Sequence, residues 1–135
     1  MKTSGQTKDR RAIFSALWIF AVFNYLYGDL AMMVFYAIAY QNIASRMSER
    51  VVLGATVLME IPMAMVFLSW ILPYIANRWA NIIAGVASTA FVLFTLLGGK
   101  APVLLLFLSV IEIACTVFIV WYAWIWPNPQ ATTSE

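Results

Sequence analysis

The stretch "VVLGATVLMEIPMAMVFLSWILPYIA", residues 51–76, decides how this chain is read. It carries one charged side chain, Glu60, and the nearest basic residues along the chain are Arg50 and Arg78. A bilayer core about 30 Å thick takes about 20 apolar residues in a helix, the conformation that satisfies its own backbone polar groups. The run therefore reads as a membrane-spanning helix with a carboxyl group near its middle.

Three similar runs lie around it, at about 12–40, 79–97 and 102–126, separated by "QNIASRMSER" (41–50), "YIANRWAN" (74–81) and "GGKAP" (98–102). Those breaks supply charge, amides, Gly and Pro where a chain turns. Composition agrees: 64% hydrophobic and 10% charged residues, with mean hydropathy +0.86, stand far from the soluble average of about 45–50% and about 25%. The expected fold is an all-α integral membrane four-helix antiparallel bundle with tails at 1–11 and 127–135. The first run is too long for one span, since residues 12–40 would make a helix of roughly 43 Å. A bend near Gly28, in "YGDL" (27–30), is expected, with an interfacial or re-entrant piece after it, because glycine followed by aspartate is a weak helix combination.

Composition also excludes chemistry. The net charge of +2 offers no dense basic face for nucleic acid. Cys115 is the only cysteine, so neither a disulfide nor a CxxC redox pair forms within the chain. Without histidine, imidazole haem ligation and the usual zinc sites are absent. No phosphate loop, nucleophile elbow or metal-binding helix motif occurs, and nothing marks the chain as an enzyme. Met59 and Met63 share a face at i,i+4, but methionine at that spacing reads as core filling rather than a copper site.

Basic residues flanking the spans favour an inner (plasma) membrane protein with both termini cytoplasmic, placing Lys2, Lys8, Arg10, Arg11 and Arg78 inside and Arg46, Arg50 and Lys100 outside. Trp70, Tyr74, Trp79, Trp121, Tyr122, Trp124 and Trp126 gather at the same inner ends.

Two further acids join Glu60. Glu112 lies near the middle of the fourth run, and Asp29 lies near mid-depth or toward the outer side of the first. An ionised side chain at a helix centre costs about 2.5–3.5 kcal/mol on insertion scales, and no basic residue shares their depth. These carboxyls are expected to point into the bundle, where they are protonated, hold a cation or cationic ligand, or meet water. Candidate neighbours on the same faces are Asn24 and Tyr25 before Asp29, Thr56 before Glu60, and Ser109 and Thr116 around Glu112. Pro62 lacks an N–H and frees the carbonyl of Leu58 beside Glu60. Packing glue is the structural alternative; a functional site is preferred because intramembrane ionisable groups are functional by default.

The runs "ALWIFAVFNYLYGDL" (16–30), "LMEIPMAMVFLSWILPYIANRWANIIAG" (58–85) and "IEIACTVFIVWYAWIW" (111–126) resemble an uncharacterised bacterial family of small four-helix membrane proteins. More remotely, the second-helix Glu60 is similar to one in DoxX-like membrane subunits, a likeness that implies thiosulfate and quinone redox. Two functions follow as expectations. One is binding or transport of a proton, cation or small amphipathic ligand through Glu60, Glu112 and Asp29, with lipid as surroundings and a homodimer or a partner membrane protein completing the path. The other is a redox accessory with quinone or lipid held among Trp18, Tyr25 and Tyr27. A purely structural membrane partner is the third reading.

Overall fold

The structure is a computed structural model describing residues 2–98 and 101–127. Its helices are α1 (Lys2–Phe35), α2 (Ala37–Ala44), α3 (Glu49–Ile71), α4 (Tyr74–Leu97) and α5 (Val103–Trp124), with no strand among the described residues. Four segments, Lys8–Phe35, Glu49–Ile71, Tyr74–Leu97 and Val103–Trp124, are long and apolar enough to cross a membrane. They form a four-helix bundle in which α1 packs most closely on α3 and α4 on α5. The two pairs meet along looser seams, α3 on α4 and α1 on α5.

Helix ends differ from the expectations in three places. The N-terminal tail is helical from Lys2 onward as part of α1. Gly28 does not break α1: it is buried within the continuous helix, facing Leu108 of α5. The interruption comes at Tyr36, before the short α2. The turn expected within "YIANRWAN" falls instead at Leu72–Pro73, and residues 74–81 are the first turns of α4. Proline lacks an N–H and disfavours the α conformation in the residue before it, which puts Leu72 at φ −66°, ψ 140°. Pro62, by contrast, is buried inside an uninterrupted α3, as transmembrane helices tolerate. Of the expected C-terminal tail, residues 128–135 lie outside the described residues.

One end of the bundle is sealed by side chains that serve helix C-termini, whose last carbonyls have no intrahelical donor. Arg11 donates to the carbonyls of Trp70 and Leu72, both at 2.9 Å, closing the end of α3. Arg78 donates to Trp124 O at 2.9 Å, Tyr74 Oη to Trp126 O at 2.7 Å, and Arg10 to Tyr122 O at 3.5 Å, closing the end of α5. Positive charge there also complements the helix dipoles. Phe14 and Trp126 fill the space beneath, with ring centroids 5.4 Å apart.

Below this seal lies the core of Phe14, Trp18, Ala21, Met65, Ala84, Cys115 and Ile119. Gly85 lets α4 approach α5: a Cβ there would stand 2.6 Å from Val120 Cγ2 and 3.2 Å from the Thr116 carbonyl oxygen. Toward the opposite end the bundle opens. The inward stripe of α3 runs back from Pro62 through Leu58, Ala55 and Val51 at helical spacing, yet Leu58 is 38% and Val51 55% exposed. No residue from 49 to 61 is buried. The bundle is closed at the arginine end and wedge-shaped at the other.

Candidate functional site

Glu112 sits roughly 14 Å along α5 from Val103 and about 18 Å from Trp124, so its helix holds it near mid-depth. It is 6% exposed. Ser109 and Thr116, at i−3 and i+4, are buried on the same stripe. Tyr25 reaches across from α1, its phenol beside both the Glu112 carboxyl and the Ser88 hydroxyl of α4. Three helices therefore deliver oxygens to one point. Asn24 Nδ2 donates to Leu108 O at 3.1 Å, locking α1 against α5 one turn toward the open end. Asp29 follows Tyr25 by one turn on α1 and is exposed. Toward the closed end the Thr89 and Thr116 hydroxyls meet at 2.7 Å, and Thr116 also returns to Glu112 O at 3.0 Å.

Among these groups one atom stands out. Glu112 Oε1 is buried and has no hydrogen-bond partner among the described residues. A buried carboxyl oxygen without a donor is costly, and such atoms are rare in folded proteins.

Glu60 does not share this place. Pro62, Met65 and Ser69 are the buried residues of α3, and Glu60 lies about 200° around the helix from Pro62. It is exposed and faces away from the bundle. Thr56, one turn before it, is also exposed and donates to Val52 O of its own helix at 2.9 Å. The expected meeting of Glu60 and Glu112 in one interior is thus corrected. Pro62 does face inward. Met59 and Met63, expected as core filling, are 37% and 48% exposed. Among the described residues no group of three or more His, Cys, Asp and Glu could hold a metal ion.

The expectations missed a second buried polar array, on the closed side of Glu112. Pro73 has no N–H to offer the carbonyl of Ser69, and Asn77 Nδ2 donates to that carbonyl instead, at 2.6 Å. Asn81 Nδ2 donates to Asn77 Oδ1 at 2.6 Å, and Trp18 Nε1 donates to Asn81 Oδ1 at 2.7 Å. Both asparagines and Trp18 are 0% exposed. The ladder crosses the bundle diagonally from α4 to α1 and, with Phe14, fills the interior between Glu112 and the arginine end. Two asparagines at i,i+4 in an apolar run were the available signal.

The chain matches, over residues 1–133, the model of a family of unknown function, DUF6326, and belongs to that family. Comparison with curated proteins and with solved structures found no match.

Proposed function

We propose that this DUF6326 protein is a membrane binding module in which Glu112 takes up a proton or a small cationic ligand from the open end of the bundle, and that any transport it performs uses this site. The observation that carries the reading is Glu112 Oε1, buried at mid-depth with no hydrogen-bond partner among the described residues, while the Tyr25 phenol stands beside the same carboxyl. An ionised carboxylate there would be strongly disfavoured without a counter-charge, so the group either holds a proton or meets a cation. Tyr25 and Ser88 supply the adjoining hydroxyls. Asp29, exposed one turn nearer the open end than Tyr25, would draw cations toward the wedge by its charge. Trp18 and the asparagine ladder block the way onward, which favours binding from one side over an open channel.

The redox alternative fits less well. It needs Trp18, Tyr25 and Tyr27 as walls for a quinone, but the Trp18 indole N–H is committed to Asn81 and Tyr27 is 57% exposed. Glu60, the residue behind the DoxX likeness, faces outward.

The test compares detergent-purified wild type with Glu112→Gln. Native mass spectrometry reads a bound cationic ligand as a mass shift that the variant loses. Infrared difference spectra across a pH step read a titrating carboxyl C=O band that the variant lacks. Absence of both signals in wild type, or their persistence in Glu112→Gln, overturns the proposal.

A further inference from the structure

Glu60 presents a problem that the interior site leaves unsolved. It projects from the middle of α3 on the face opposite Pro62, among Leu53, Val57, Phe67 and Ile71, all more than half exposed. Acyl chains on that face would surround an acid, which strongly disfavours its charged form. Along the sequence its nearest basic residues, Arg50 and Arg78, sit beside the first turn of α3 and in α4 near the arginine end. Neither is at its depth. One turn to either side of Glu60 stand Thr56 and Ala64, both exposed and both small. Small side chains one turn above and below the acid let a second helix come close there, and the acid between them supplies the bond.

We propose that this face of α3 is the contact between two copies of the chain, related by a two-fold axis along the membrane normal, with the two Glu60 carboxyls hydrogen-bonded to one another. A carboxylic acid is both donor and acceptor, so it complements itself. Two-fold symmetry brings the partner group to the same depth without requiring a cation. Thr56 and Ala64 meet their counterparts above and below the acid pair. The proposal is independent of the Glu112 site, which faces the interior of each copy.

Cross-linking and dissociation test it together. In a Cys115→Ser background reconstituted in lipid, Ala64→Cys forms a disulfide-linked dimer on oxidation. Val86→Cys, on the exposed side of α4, does not. In detergent, Glu60→Leu weakens the dimer by about three- to tenfold, the range for one or two interhelical hydrogen bonds, while Glu60→Gln, whose amide also donates and accepts, stays within about twofold of wild type. The Leu variant places an apolar side chain on an apolar outer face, and circular dichroism checks that it remains helical. Equal cross-linking at positions 64 and 86, an unchanged dimer in Glu60→Leu, or a wild-type protein that is monomeric or sediments with a different membrane protein overturns the proposal.

Discussion

The diagonal bond from Trp18 to Asn81 permits a quantitative test of what closes the bundle. In Asn81→Leu, a near match in size, the indole N–H keeps its burial and loses its acceptor, and Asn77 Oδ1 loses its donor. An unsatisfied buried group costs about 1–3 kcal/mol, although interhelical bonds in membranes average only about 0.6. A destabilisation of about 1–3 kcal/mol is therefore expected. Trp18→Phe removes the donor and some packed area, leaving Asn81 Oδ1 unpaired, for a similar or larger loss. In the double variant neither group of the pair is stranded, so its loss should fall short of the sum by about 1–2 kcal/mol. The cost at Asn77 and the lost ring volume appear in both a single variant and the double, and so cancel from the cycle. Reversible unfolding in mixed micelles with increasing dodecyl sulfate, followed by far-ultraviolet circular dichroism, measures all four proteins. Additivity within about 0.5 kcal/mol, the behaviour of independent sites, would refute the coupling.

Gly85→Ala should destabilise the α4–α5 pair by about 1–3 kcal/mol, because the new Cβ meets a β-branched side chain and a backbone oxygen; a thermal midpoint equal to wild type in the same detergent would contradict this. Arg11→Ala should expose the carbonyls of Trp70 and Leu72, cost about 1–2 kcal/mol, and speed amide hydrogen exchange in the last turn of α3 while leaving α5 unaffected.

Four spans were legible because length and hydropathy measure them directly, and the lipid requirement for internal hydrogen bonding leaves helices as the means to cross. The rotation of α3 was not. In a soluble helix the contrast between polar and apolar sides marks the buried face, but residues 51–71 are apolar nearly all round, and the one acid marks the wrong side. Glu112 could be placed because Ser109 and Thr116 extend its stripe in both directions, and small polar residues favour helix contacts. Glu60 has Thr56 on one side alone. The α3–α4 turn was misplaced because Asn77, Arg78 and Asn81 resemble loop residues; the turn falls at Pro73, but Pro62 inside the same apolar run shows that a proline alone does not mark a break in a transmembrane helix. The asparagine ladder was lost with that misplacement, since its i,i+4 spacing matters only inside a helix.

The sealed end joins the beginning of the chain to its end: Arg10 and Phe14 of α1 dock on Tyr122 and Trp126, which follow more than a hundred residues later. During synthesis α1 enters the bilayer long before those partners leave the ribosome. Until they arrive, Arg10 has no carbonyl of α5 to serve, and Phe14 lacks the indole that covers it. Closure of this end therefore waits on α5, and a chain that stopped before residue 122 would leave Arg10 and Phe14 without these partners.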